Sequence, residues 1–350
     1  MFSLHGTDAV TINSSKENMI DRLGRPLRDL RISLTDQCNF RCQYCMPADR
    51  KYNFFKEDEK LSRAEIARLA SIFVGLGVER IRLTGGEPLL RRDIVDIVED
   101  LQKLDVKDIP LTTNGEFLAE KAEGLKKAGV SRITISLDSL DEKNFAKMSG
   151  NRGSLKKVIA GIDRALEVGL GPIKINCVLK KGENEESIFP LVDFARERKI
   201  TLRFIEFMDV GNQNKWDHAK VVSSKDLQAQ IADVYPLETC EKDFYGEVAE
   251  RYRYLDGGGE VGFISSVTQP FCGSCTRARL SSDGKLYNCL FSFKGLDLRE
   301  ALRNGSSDEE LNFLISNFWQ NRTNRYSEER VESNSSKSRH DIVEMFQIGG

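Results

Sequence analysis

The chain has 350 residues, with 52 Lys and Arg against 54 Asp and Glu and a formal net charge of -2. That length supports a large core, and the near-neutral balance excludes a general affinity for nucleic acid or anionic membrane, so any cationic site must be local. The first twenty residues include Asp8, Lys16 and Glu17, and no later run approaches the ~20 apolar residues that span a bilayer; a cytoplasmic protein is expected.

Residues 1–28 are polar and irregular, closing with Gly24 and Pro26, and read as a loosely held N-terminal arm. Arg31 to Thr35 then alternates polar and apolar as a strand, and a loop with Cys38, Cys42 and Cys45 leaves its end. Ser62, with Glu65 in capping-box position, predicts a helix through about Leu76. A strand over Arg80–Thr84 runs into Gly85-Gly86-Glu87-Pro88, and a helix is expected from about Arg91 to Leu104. Further strands are predicted near Ile109–Thr113, Arg132–Leu137, Ile173–Leu179 and Leu202–Phe207, with helices near 118–127, 154–168 and 186–198. Some six β-α units of this kind close into a barrel or open into a doubly wound sheet.

The strand faces carry information. Arg31, Ser33 and Thr35 share one face, as do Arg80, Arg82 and Thr84, Thr134 and Ser136, and Lys174 and Asn176. With helices over the apolar faces, these polar faces point into a lumen, where unpaired cations cost several kcal/mol each unless an anion sits among them. Strand-end residues reaching solvent are the alternative. Beyond Phe207 the rhythm changes: Met208 to Asn214 is turn-rich, a helix is expected near Ser223–Val234, and Tyr252 to Phe263 with Gly257-Gly258-Gly259 resembles a hairpin. A boundary is placed near 215, giving a barrel over 29–215, a second unit over 216–320, and a mobile, Ser/Asn-rich tail over 321–350 whose final Gly349-Gly350 reads as frayed.

Six of eight cysteines fall into two triads, Cys38/Cys42/Cys45 and Cys272/Cys275/Cys289; Cys177 and Cys240 read as ordinary thiols. Clustered thiolates are metal ligands of soft character, suited to iron-sulfur or zinc. Three ligands on a cubane leave one iron open, which favours catalysis over electron storage. Zinc completed by a remote residue, or unconnected core thiols, are the alternatives for the first triad; zinc with His218 or His340 is the alternative for the second. Gly85-Gly86 lets backbone approach a ligand, and Glu87 is expected to accept from an ammonium group. Arg277 and Arg279 share a strand face suited to gripping phosphate, unless that face is a solvated edge.

The C-x3-C-x2-C loop with Tyr44 and the Gly-Gly-Glu-Pro turn resembles the radical S-adenosylmethionine superfamily, whose fold is an α/β partial barrel of six β/α units. Arg31 seven residues before Cys38, the Met208 to Asn212 segment, Cys272-x2-Cys275-Thr276-Arg277-Ala278-Arg279 with Cys289, and the terminal Gly349-Gly350 together resemble the GTP 3',8-cyclase family of molybdenum cofactor biosynthesis. The resemblance implies a C-terminal extension carrying a second cluster. It implies that Cys38, Cys42 and Cys45 hold one 4Fe-4S cluster and Cys272, Cys275 and Cys289 another. Tyr44, Gly86, Ser136 and Met208 would contact S-adenosylmethionine; Arg31, Arg82, Thr113, Lys174, Arg277, Ala278 and Arg279, with Arg203 as a further member, would hold GTP. The implied chemistry is a 5'-deoxyadenosyl radical taking hydrogen from ribose C3', followed by closure onto guanine C8, with no acid/base role for a histidine. Further implications are an electron donor such as flavodoxin or ferredoxin, delivery of product to cyclic pyranopterin monophosphate synthase, and a homodimer. Competing readings are a different two-cluster enzyme acting on peptides, an electron carrier, and a zinc-stabilised binding protein.

Overall fold

The computed structural model describes residues 19–332 and 342–350. The predicted alternation forms as β1 (Asp29–Ser33), α1 (Arg63–Gly75), β2 (Arg80–Thr84), α2 (Ile94–Gln102), β3 (Pro110–Thr113), α3 (Leu118–Ala128), β4 (Arg132–Ser136), α4 (Glu142–Met148), α5 (Leu155–Glu167), β5 (Ile173–Leu179), α6 (Ile188–Glu197) and β6 (Thr201–Glu206). Local signals act as expected. The Ser62 hydroxyl accepts from the Glu65 N–H while the Glu65 carboxylate accepts from the Ser62 N–H, which satisfies two donors that α1 would otherwise leave open. Short helix α4 was not expected; Asp141 caps it by accepting from Asn144 N–H.

The chain continues through α7 (Ser224–Val234), β7 (Leu237–Thr239), β8 (Glu250–Tyr254), β9 (Glu260–Ile264), β10 (Arg277–Leu280), β11 (Lys285–Tyr287), β12 (Leu296–Asp297), α8 (Leu298–Arg303), α9 (Asp308–Gln320), α10 (Tyr326–Glu332) and α11 (Met345–Ile348). All strands join one twelve-stranded sheet in the order β12-β11-β10-β1-β2-β3-β4-β5-β6-β9-β8-β7. Strands β10, β1 to β6 and β9 run parallel to their neighbours, and antiparallel strands extend both edges. Residues beyond 215 therefore lengthen the barrel sheet at both ends. Curling of the sheet brings Arg277 of β10 and Arg203 of β6 onto one cavity wall. Alternate strand residues such as Leu30, Ile32, Ile81, Ile133, Ile175 and Phe204 are buried in the core beneath the helices, each contributing about 1.5–3 kcal/mol.

Two expectations are corrected. The described part of the N-terminal arm is tied down: Arg25 is fully buried, its Nε donates to Asp21 Oδ2 at 2.6 Å, and its Nη1 donates to the Cys272 and Asn324 carbonyls at 3.0 and 2.9 Å. The described parts of the tail are packed too, because Arg322, Phe346 and Ile348 are all buried. Residues 1–18 and 333–341, His340 among them, lie outside the described residues. No helix among the described residues is long and apolar enough to cross a membrane.

Among the described residues Asp21 is the one carboxylate paired with two buried guanidiniums in this cluster, Arg25 at 2.6 Å and Arg322 at 3.5 Å. Asp21→Ala would leave both charges without it, so a loss of about 3–5 kcal/mol is expected in urea unfolding. A loss within 1 kcal/mol, roughly the value of a surface pair, would show that the cluster is not desolvated.

Candidate active site

Strand register sets the charge of the lumen. Asp29 on β1 lies level with Arg80 on β2 and Arg277 on β10, whereas Arg31 lies level with Arg82 and Arg279. The first tier is compensated, since the Asp29 carboxylate takes Arg80 at 2.5 and 3.0 Å and also accepts from the Thr276 hydroxyl. The second tier is a row of three guanidiniums on strands about 4.8 Å apart, with no carboxylate at a paired position. Arg203 of β6 faces the same cavity and donates to Asn176 Oδ1 at 2.9 Å. Burial first, and neighbouring guanidiniums second, bring Arg31 and Arg203 down to about 10 and hold Arg82 and Arg279 well below the usual arginine range. Lys174 and Arg132 continue the cationic lining, and burial together with Arg203 brings Lys174 down to about 8.

The first thiol loop leaves the C-terminal end of β1. Cys38, Cys42 and Cys45 line a cavity with Tyr44, Gly86, Ser136 and Met208. The Tyr44 hydroxyl donates to Asp138 Oδ2 at 2.8 Å, and Asp138 Oδ1 accepts from Val178 N–H at 2.8 Å, which orients the ring from β4 and β5. Burial pushes the Cys38 thiol up to about 12 and Cys42 and Cys45 further, so thiolates here need the positive charge of a metal. Gly86 N–H donates to the Thr35 carbonyl at 2.6 Å and Glu87 N–H to Gln37 at 2.8 Å, clamping the two loops together. The Glu87 carboxylate is not a free acceptor for an ammonium group: it takes Thr113 Oγ1 at 2.7 Å and the N–H groups of Asn114 and Leu89 at 2.7 and 2.9 Å. It braces the Gly-Gly turn against β3.

The second triad borders the cationic cavity. Cys272, Cys275 and Cys289 share its wall with Arg277, Arg279, Phe271 and Phe291. Burial would raise Cys275, yet Arg277 and Arg322, donating to its Sγ at 3.2 and 3.0 Å, bring it down to about 6. His218 sits edge-on against Trp216 and is absent from this wall. Among the described residues no three Cys, His, Asp or Glu side chains converge on a single-ion site.

The two cavities meet. Thr112, Asn176, Ile205, Met208, Met345 and Gly350 line both. The tail reaches them because Phe346 packs edge-on against Tyr52 at 5.4 Å, Glu344 accepts from Asn212 N–H at 3.0 Å, and Arg279 donates to the Gly349 carbonyl. Gly349 has φ +72, and a Cβ there would overlap Thr84, so this position requires glycine.

Of the predicted substrate set, Arg31, Arg82, Arg203, Arg277 and Arg279 come together in one cavity, and Lys174 lies in the adjoining one. Two assignments are corrected. Ala278 packs in the apolar core, because strand alternation turns it away from the face of Arg277 and Arg279. Thr113 lines the first-triad cavity with its hydroxyl committed to Glu87, while Thr112 borders both cavities and accepts from Arg82 at 3.1 Å. Asn114, Asp138 and Arg322 were missed. Asn114, at the C-terminal end of a barrel strand and followed by Gly115, carried a readable signal; Arg322, in a polar stretch, carried none.

A curled parallel sheet with one thiol triad at the end of its first strand and a second bordering the adjoining cationic cavity defines a radical S-adenosylmethionine protein. Residues 32–195 match the Radical SAM superfamily, and residues 200–328 match Molybdenum Cofactor Synthesis C. The chain is 44% identical over 339 residues to the GTP 3',8-cyclase of Staphylococcus carnosus, covering 95% of this chain and 99% of that one. It is 48% identical over 336 residues to the GTP 3',8-cyclase of Xanthomonas axonopodis pv. citri, with 95% and 99% covered. The chain belongs to the GTP 3',8-cyclase family. In fold it is similar to Streptococcus suis SuiB bound to S-adenosylmethionine, with TM-score 0.59 and 18% identity over 91% of this chain and 70% of that one. It is also similar to anSMEcpe with bound AdoMet, with TM-score 0.51, 16% identity and 81% of each chain covered.

The family's cofactors are two 4Fe-4S clusters and S-adenosylmethionine, and the walls fit them. Three half-buried thiols face each cavity, with no further Cys or His on its wall among the described residues, and the first also presents the Gly85-Gly86 backbone and the Tyr44 ring.

Proposed function

We propose that this chain converts GTP to 3',8-cyclo-7,8-dihydroguanosine 5'-triphosphate, the first step of molybdenum cofactor biosynthesis. The observation that carries the reading is the Arg279–Arg31–Arg82 row: one buried and two half-buried guanidiniums in register, with no carboxylate at a paired position, beside a thiol triad. A triphosphate compensates such a row, and guanidiniums fork onto its oxygens. Cys38, Cys42 and Cys45 would hold a 4Fe-4S cluster, which when bound and reduced would supply the electron for cleavage of S-adenosylmethionine to a hydrogen-abstracting radical. The chain's own residues do the positioning. Tyr44, Gly86, Ser136 and Met208 contact S-adenosylmethionine; Arg31, Arg82, Arg203, Lys174, Arg277 and Arg279 hold the triphosphate; Cys272, Cys275 and Cys289 hold the second cluster beside the base. Met208, Met345 and Gly350, lining both cavities, bring ribose and S-adenosylmethionine together and keep water from the reacting carbon. In this reading residues 29–215 form the barrel unit and 216–320 the unit of the second cluster. A flavodoxin- or ferredoxin-type donor reduces the protein, the product passes to cyclic pyranopterin monophosphate synthase, and the protein works as a cytoplasmic homodimer.

The test is anaerobic. With about eight iron per chain, reductant and S-adenosylmethionine, 5'-deoxyadenosine is expected to form in step with GTP consumption. Formation at the same rate without GTP would remove the substrate and leave the radical chemistry.

GTP affinity should also depend on pH. Lys174 lies at about 8 in the free protein, so it loses its charge as pH rises through that value. Binding of the polyanion favours protonated Lys174 and weakens by up to about tenfold per pH unit above 8. Lys174→Arg should retain its affinity at pH 9; a parallel decline in both proteins would place Lys174 outside the site.

A further inference from the structure

A second concentration of positive charge lies outside the lumen, on the outer side of the first thiol loop. Arg41, Lys143, Lys147, Lys180, Lys215 and Lys220 border one open concavity, whose lining holds a single carboxylate, Asp49. Asp49 pairs with Lys215 at 2.8 Å, and Glu183 is shared by Lys147 at 2.6 Å, Lys220 at 3.6 Å and Lys180 at 3.7 Å. With Glu186 held by Asn144 of the lining at 2.6 Å, three carboxylates stand against six cations and leave a net charge of about +3 in a chain whose total is -2. Lys147 and Lys215 are 48% and 68% exposed, so their charges reach solvent.

The floor of this concavity is the back of the cysteine loop. Arg41 and Gln43 border it and flank Cys42 in the chain. Gln43 is fixed there: its Nε2 donates to the Lys147 carbonyl at 3.1 Å, and its Oε1 accepts from Lys180 at 3.1 Å. Arg41 Nη1 donates to the Cys38 carbonyl at 2.7 Å. The concavity outside the second triad differs, since it holds Lys242 against Glu247, Glu250 and Glu328.

We propose that the concavity beside Cys42 is the docking surface for an acidic one-electron carrier protein. This rests on the radical S-adenosylmethionine reading, in which each reductive cleavage consumes one electron from outside. The carrier gives up one electron, the cluster at the first triad accepts it, and no atom is transferred. A shallow cationic surface one residue from a thiol ligand fits the weak, steered, salt-sensitive encounters that electron-transfer pairs use.

The test uses the iron-loaded protein, reduced flavodoxin as the acidic probe, and dithionite as a small reductant. Flavin oxidation is followed by stopped flow, so neither GTP nor turnover enters the readout and failure of the cyclase reading stays distinguishable. Lys143→Glu/Lys147→Glu/Lys215→Glu is expected to slow flavin oxidation at least tenfold, and added salt should slow the parent protein likewise. Reduction by dithionite, iron content and GTP affinity should be unchanged. A flavin rate within threefold of the parent overturns the proposal, as does an equal slowing with dithionite. A second bound GTP that the triple variant loses while its flavin rate holds would assign the concavity to small anions instead, and overturn it too.

Discussion

Arg82→Met is expected to stabilise the nucleotide-free protein while weakening GTP binding at least about tenfold. Arg82 lies in register between Arg31 of β1 and the start of β3, and its hydrogen bond to a neighbouring side chain is the 3.1 Å contact with Thr112 Oγ1. Burial, then Arg31, Arg203 and Arg132, hold its pKa well below the usual range, so the empty lumen carries this charge at a cost. Replacing a buried ionic group with a well-packed apolar one commonly stabilises by about 1–4 kcal/mol. A hydrogen bond to a charged ligand group is worth about 1.5–3 kcal/mol, roughly tenfold to 150-fold in affinity. The two effects have opposite signs, and thermal unfolding without nucleotide and a GTP titration read them separately. A variant that loses stability along with affinity would make Arg82 a structural residue, and the lumen would no longer call for a polyanion.

Gly86→Ala is expected to abolish S-adenosylmethionine binding and to leave about four iron per chain, those of the second triad. A Cβ at Gly86 would overlap the Gln37 carbonyl oxygen, come within 2.6 Å of its carbon, and lie 2.9 Å from the Asp36 oxygen. These are backbone atoms of the segment leading into Cys38, and they cannot rotate away. The Gly-Gly turn must therefore separate from the cysteine loop, breaking the bonds from Gly86 N–H to Thr35 and from Glu87 N–H to Gln37. Gly75, at the end of α1 with nothing within 4 Å of its Cβ position, supplies the control. Iron analysis and a binding assay decide; full iron and normal affinity in Gly86→Ala would show that the two loops do not need this contact.

Much of the site was legible because its signals are short in range. A C-x3-C-x2-C loop, a capping box, and polar residues at period two are written within ten residues, and each appeared where the spacing placed it. Errors arose where a motif was read as a block. In Arg277-Ala278-Arg279 the pleat turns the middle residue into the core, and at Thr112-Thr113 it is Thr112 that borders both cavities. Glu87 was read as a free acceptor, but the three hydrogen bonds that occupy it come from its own turn and from the end of β3.

By itself the sequence determined the β-α rhythm, the two thiol triads and which strand faces carry charge, since these follow from residue type and a period of two or 3.6. Tertiary structure alone decided that Arg279 and Arg82 flank Arg31 without a carboxylate, that Asp21 lies against Arg322, and that Gly350 lines both cavities. Those pairings join residues about 50 to 300 positions apart. Their geometry depends on how a twisted sheet curls and where the chain ends return, and no local pattern encodes either.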